Sequence, residues 1–295
     1  MNQDRALRIL IGTPAGGGQV TVQYMLSLLD VFQKVMDIKK QIFIRNNLRI
    51  GKQNGLISEP QLNYLNQLEA QGLVDLEIGL YTLAQESLLG RGRNHIAAVA
   101  IRQGWDKLFF IDADARFNFD MFYRLALSPH DLTAAACPVK VLPISLNYLP
   151  FQDDEHYYKD RIRSVDSLLK MREGHKSNYV PVAYVGTAFM AISRKLLLLA
   201  AEDSEEYQYP NPSSGHLHTH WDMFDTKPMY KKYMSEDWSF CERARRLGFP
   251  VMLDTNVIIS HVGSIVYTPE MAQITHVPKQ DGVFSDGVVT NAKPY

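Results

Sequence analysis

Between Lys107 and Asp114 the chain reads KLFFIDAD, and this stretch limits the fold more than any other. Successive side chains of a strand point to opposite faces, so Leu, Phe, Phe and Ile in a row put large apolar groups on both. Such a strand belongs in the middle of a sheet with helices packed over each face. The run ends in Asp112 and Asp114, separated only by Ala113. Two carboxylates so placed can converge on one hard divalent cation, Mg²⁺ or Mn²⁺. The same residue types also form Asx turns that cap the next segment.

The rest of the first half repeats strand and helix patterns. Leu7–Pro14 is a short apolar run stopped by Gly and Pro, and it predicts a buried first strand. Residues 20–37 have helical spacing, with Val22, Met25, Leu26, Leu29, Val31 and Phe32 on or near one face. QIFIRNN (Gln41–Asn47) reads as a second strand, Leu88–Gly104 as a loop and helix, Phe119–Leu127 as a helix and Leu132–Val139 as a strand. This alternation to about residue 140 is the signature of an α/β domain with a parallel sheet. In the second half, His156–Gly174 reads as helix and Tyr179–Arg194 as strand, Gly turn, strand. Ser235–Phe249 reads as a helix capped by Ser235 and ended by Gly248, and Pro250–Ser264 as two short strands. Tyr207–Lys232 shows no period and reads as a long functional loop, and the segment from Thr268 is polar and patternless.

Composition narrows the function class. The 295 residues carry a formal net charge of −1, so no strong global field draws the chain to nucleic acid or membrane. Cys137 and Cys241 make neither a disulfide framework nor a C-x-x-C zinc site. Two buried thiols in a reducing compartment is the expected reading. The N-terminus lacks the apolar length of a signal peptide, and Arg194–Ala201, the most apolar window, is too short to span a bilayer. A soluble, cytoplasmic protein is expected. The Gly-rich turn GTPAGGGQVT has neither the G-K-[ST] of a phosphate loop nor the last glycine of a dinucleotide fingerprint. It still lies at the carboxyl end of the first strand, where open α/β sheets bind ligands.

Five stretches, in order, resemble the GT-A nucleotide-sugar glycosyltransferases. They are GTP (Gly12–Pro14), GRGRNHIAAVAIRQGWDKLFFIDAD, YVGTAFMAISR, SEDWSFCERARRLGF and IISHVGS. The opening residues also resemble small soluble glycosyltransferases of viral type. The resemblance implies a single α/β GT-A domain over 1–267, with a nucleotide-binding half (1–115), an acceptor half (116–267) and a C-terminal extension (268–295). It implies that Thr13, Pro14, Arg91, Arg93, Asn94, Asp112, Ala113, Gly186 and Thr187 meet the donor. Asp112, Asp114 and His261 would hold Mn²⁺ or Mg²⁺. Asp237 would face the acceptor as general base, kept ionised by its helix terminus, with Glu236 beside it.

The implied reaction moves a sugar from a nucleotide-sugar, a UDP-sugar first, to an acceptor hydroxyl, with inversion if Asp237 is the base. Trp221, Tyr230 and Trp238 offer stacking surfaces. The acceptor is a saccharide or glycoconjugate, or alternatively a hydroxymethylated base in DNA; a lipid-linked acceptor would need peripheral docking. The basic sets Lys39, Lys40, Arg45, Arg49, Lys52 and Arg161, Arg163, Lys170, Arg172, Lys176 would serve DNA phosphates or a solvated face. His216, His218 and His220 alternate and would share a strand face, the basis of a rival zinc reading. The remaining rivals are a nucleotidyltransferase, which normally has a basic residue in its first Gly-rich loop, and a non-catalytic sugar-binding module.

Overall fold

In the computed structural model, the described residues are 5–140, 144–151, 163–173, 175, 177–210, 215–229, 232–263, 265–269 and 271. The elements run β1 (Leu7–Ala15), α1 (Val22–Gln53), α2 (Glu59–Ala70), β2 (Leu76–Ala84), α3 (Leu89–Arg102), β3 (Lys107–Ile111), β4 (Ala115–Arg116) and α4 (Phe119–Ala126). They continue β5 (Leu132–Ala136), β6 (Tyr148–Leu149), α5 (Val165–Glu173), β7 (Tyr179–Val182), β8 (Tyr184–Val185), β9 (Phe189–Ser193) and α6 (Arg194–Glu202). Last come β10 (Glu206–Pro210), β11 (Leu217–Trp221), β12 (Lys227–Met229), β13 (Lys232–Met234), α7 (Glu236–Arg246), β14 (Val251–Ile258), β15 (Ser260–Val262) and β16 (Val266–Tyr267).

Seven strands form one twisted sheet in the order β2-β1-β3-β9-β5-β14-β7. β1 pairs parallel with β2 and β3, and β14 pairs parallel with β5. β9 runs antiparallel between β3 and β5, and β7 runs antiparallel at the edge. The fold is therefore a mixed α/β domain on a mostly parallel, Rossmann-like sheet. β3 lies inside it with all five residues buried. Phe110 faces a core built with Ile96, Ala97 and Ala100 of α3, Leu196 of α6 and Phe240 of α7. Phe109 faces the opposite core, with Leu28 and Val31 of α1 and Phe122 of α4. The doubly apolar run thus does what its pattern requires.

Four expectations change. QIFIRNN is not a strand: it lies inside the 32-residue helix α1. Val31, Val35, Ile38 and Ile42 are buried in that helix at spacings of three and four, and this sustained period outweighs the local β-propensity of Ile-Phe-Ile. The buried face of α1 is also not the one expected. Tyr24, Leu28 and Val31 are inside, whereas Val22, Met25, Leu26 and Leu29 are exposed. The second strand is instead β2, a half-exposed edge strand with a weak pattern. Finally, the described part of 207–232 is two antiparallel hairpins, β10–β11 and β12–β13, rather than a patternless loop. Its Pro and His residues dilute the alternation that sequence reading depends on.

The turn at Gly186–Thr187 sends β9 back between two parallel strands. The amino end of β9 therefore meets the carboxyl ends of β1, β3, β5 and β14 along one edge of the sheet, where ligands bind in open α/β folds. Of the helix expected over 156–174, Val165–Glu173 is α5; its earlier part, Arg161, Lys176, Tyr230 and the extension beyond 271 lie outside the described residues.

Candidate active site

At that sheet edge lies a pocket of about 160 Å³. Arg93, Asp112, Thr187, Glu236, Asp237 and His261 all line it. They come from α3, the end of β3, the turn before β9, the start of α7 and β15. The sequence therefore located half of the lining, and the tertiary fold gathered it.

α3 begins at Leu89, which also lines the pocket, so the helix N-terminus faces the site. Gly90 lets the start of α3 pack against the turn after β11: a Cβ there would meet the Phe224 carbonyl oxygen at 2.4 Å. Arg93, in the first turns of α3, is buried, with its side chain only 3% exposed. It donates to Asp112 Oδ1 at 3.3 and 3.2 Å and to Glu236 Oε1 at 3.5 Å, and its guanidinium lies 5.4 Å from the Phe110 ring centroid. One buried cation thus joins β3 to α7.

Asp114 has different partners. Antiparallel pairing of β15 with β4 sets His261 opposite Ala115, which brings His261 Nε2 to 3.1 Å from Asp114 Oδ1. The Lys140 ammonium bonds the other oxygen, Oδ2. Burial alone would raise the Asp114 carboxyl, but the hydrogen bonds and charges of His261 and Lys140 hold it at about 2.

Asp237 sits in the first turn of α7, with Ser235 at the N-cap position. The Ser235 hydroxyl donates to Asp237 Oδ1, and the Trp238 amide donates to the same oxygen at 2.8 Å. Burial still dominates, and with the neighbouring Glu236 charge it outweighs Ser235, Arg93 and the Trp238 amide, pushing the carboxyl up to about 6. The helix terminus was expected to keep this group strongly ionised; desolvation wins instead. Gly186 is required beside it. A Cβ there would meet Asn147 Nδ2 at 2.1 Å and Asp237 Oδ2 at 3.4 Å. Thr187 is buried, and its Oγ1 has no hydrogen-bond partner, so one hydroxyl is left unsatisfied at the pocket.

Other candidates lie elsewhere. The Thr13 hydroxyl is buried against the Tyr24 hydroxyl, and Pro14 and Ala113 do not line the pocket. Arg91 makes a fork to Glu86 at 2.9 and 2.7 Å. Asn94 donates to Asp222 Oδ1 and accepts from the Phe224 amide, both at 2.8 Å, so it ties α3 to the turn after β11. Trp238 stacks on Tyr184 with centroids 5.0 Å apart, and Trp221 packs on the core. Neither lines the pocket. His220 is buried, stacks on His95 and lies 3.0 Å from its Nδ1. That makes it a satisfied core histidine. Sequence reading missed Lys140, Asn147 and Cys137, which carry no motif and arrive only through the β5–β6 connection.

Among the described residues, no three His, Cys, Asp or Glu side chains are arranged to hold one metal ion. Among the described residues, Asp112 and Glu236 pair with Arg93, while Asp114, which does not line the pocket, pairs with Lys140.

No family model and no curated protein matches the chain. Among solved structures, the crystal structure of A197 from STIV is similar over 90% of this chain and 91% of that one, with 13% sequence identity and a TM-score of 0.45.

Proposed function

We propose that the chain is a glycosyltransferase that moves a sugar from a nucleotide-sugar, a UDP-sugar first, to an acceptor hydroxyl. The observation that carries this reading is the convergence in one pocket of Arg93, Asp112, Thr187, Asp237 and His261, drawn from four of the five stretches that resemble GT-A enzymes.

The acceptor oxygen attacks the anomeric carbon while the bond from that carbon to the diphosphate oxygen breaks, and the hydroxyl proton passes to Asp237. A carboxylate raised to about 6 is ionised at neutral pH and is a stronger base than an ordinary aspartate. Arg93 and the N-terminus of α3 meet the negative charge that develops on the leaving diphosphate. Attack from the side opposite the leaving group gives inversion. Asp112, Asp114 and His261 would hold Mn²⁺ or Mg²⁺, which when bound supplies Lewis-acid neutralisation of the diphosphate. The pocket is smaller than the ~300–1,000 Å³ of whole-ligand sites, so it suits the sugar and adjoining phosphate, with the nucleoside outside it.

A saccharide or glycoconjugate acceptor is favoured over DNA. In the basic set of α1, Lys39 pairs with Asp75 and Arg49 with Glu69, so those charges are already neutralised. The test is hydrolysis of UDP-, GDP- and TDP-sugars with and without Mn²⁺, followed by an acceptor panel that includes hydroxymethylated DNA. One nucleotide-sugar should be cleaved, and Asp237→Asn should retain donor binding while transfer falls by ~10²-fold or more. Cleavage of none, or wild-type turnover by Asp237→Asn, overturns the reading.

A further inference from the structure

The outer face of α1 carries a line of large apolar side chains among its polar ones, where a surface helix is normally polar. Val22, Leu29, Met36, Phe43 and Ile50 lie seven residues apart and are 69%, 59%, 62%, 67% and 56% exposed. Met25 and Leu26 widen the stripe at its start, at 44% and 59%. The opposite face of the same helix is already used, with Tyr24, Leu28, Val31, Val35, Ile38 and Ile42 buried in this chain. The outer stripe is therefore a second apolar line on the helix, bordered by polar residues.

We propose that α1 forms the interface of a two-fold antiparallel dimer of this chain. Three features select a second copy as the occupant. A period of seven falls about 20° short of two full turns, so the stripe winds slowly round the helix. A second helix supercoiling left-handedly stays on that path.

Charge then selects the direction. Residues 22–37 carry Asp30, Lys34 and Asp37, whereas residues 38–53 carry Lys39, Lys40, Arg45, Arg49 and Lys52 and no acid. Parallel helices would set the two basic halves side by side. Lys39 and Arg49 already pair with Asp75 and Glu69, so the unpaired excess of the second half rests on Lys40, Arg45 and Lys52; antiparallel helices set these against the acid-bearing half of the other copy. Val22 then meets Ile50, Leu29 meets Phe43, and Met36 meets itself on the axis, as an isologous contact requires.

Area is the third feature. Seven apolar side chains, each offering on the order of 100 Å², approach the ~800 Å² per partner of a stable interface. At the Val22 end the stripe borders a depression of about 380 Å³ lined by Gln23, Leu26, Ser27, Asp30, Arg116 and Phe117. In the antiparallel arrangement the Ile50 end of the second copy lies over it. The proposal is independent of the glycosyltransferase reading.

Sedimentation of the full chain across the micromolar range should give twice the chain mass. Met36→Glu with Phe43→Glu should halve it without changing the circular dichroism, since both side chains are exposed in the single chain, and the unfolding midpoint should lose its dependence on protein concentration. Leu29→Cys mixed with Phe43→Cys should cross-link through a short bismaleimide, while neither cross-links alone. The native Cys137 and Cys241 are buried and do not interfere. A monomer at every concentration overturns the proposal, as does a dimer that survives the double substitution. Self-cross-linking of Leu29→Cys overturns the antiparallel direction. A monomer that co-sediments with phosphatidylserine vesicles through this stripe assigns the face to a lipid surface instead.

Discussion

Asp237 and Gly186 show how closely the pocket is set at the scale of single residues. Burial raises the Asp237 carboxyl to about 6, so it accepts a proton only above that pH. The acidic limb of the transfer rate is expected to rise through about pH 6, and a limb near the ordinary aspartate value would remove Asp237 as the base. The groups facing it are Ser235, Glu236, Arg93 and the Trp238 amide. Gly186→Ala forces a Cβ to within 2.1 Å of Asn147 Nδ2. The expected cost is ~1–3 kcal/mol of stability, with transfer falling further because Asn147 and Asp237 share the pocket. A denaturant titration alongside kinetics separates the two effects. Lys140→Met removes the ammonium that holds Asp114 Oδ2, so calorimetry should show tighter Mn²⁺ binding. Unchanged or weaker binding would mean that Asp114 is not part of a cation site.

Between elements, polar contacts rather than motifs join α3 to the β10–β11 hairpin. His95 of α3 stacks on His220 of β11 and lies 2.7 Å from the Tyr81 hydroxyl of β2. Burial, then the His220 charge, lowers His95 to about 4, and burial also lowers His220. Arg102 and His218 add to the lowering of His95, while Glu86 opposes it. The folded state therefore binds fewer protons than the unfolded chain between about pH 6.5 and 4. Stability present above pH 6.5 should be lost as pH falls through about 4, by on the order of 2–3 kcal/mol. His95→Phe should flatten that part of the profile of Tm against pH, and a slope unchanged by this substitution would assign the effect elsewhere. The histidine alternation in 216–220 was legible in the sequence. Its partner was not, because His95 lies 125 residues away and reaches His220 only when α3 packs on β11.

Across the whole molecule, one sheet divides two cores, and β3 belongs to both. Phe109→Ala and Phe110→Ala empty opposite faces, yet each should cost ~3–5 kcal/mol. Because one strand carries both faces, unfolding should remain a single cooperative transition in calorimetry. Two separated transitions in either variant would mean that the cores fold independently. Among the described residues no helix is long and apolar enough to cross a membrane.

By itself the sequence determined that an apolar strand ends in Asp112 and Asp114 within an α/β sheet, because alternation and run length depend only on neighbouring residues. It also marked Arg93, Thr187, Asp237 and His261, which the fold brings to one pocket. Only the tertiary structure decided what neutralises the two aspartates: Arg93 for one, Lys140 with His261 for the other. It also decided which face of α1 is buried, that β9 reverses between parallel neighbours, and that Asp237 loses enough water to shift its proton affinity. Those outcomes depend on groups far apart in the chain, and charge pairing and desolvation follow distance in space rather than in sequence.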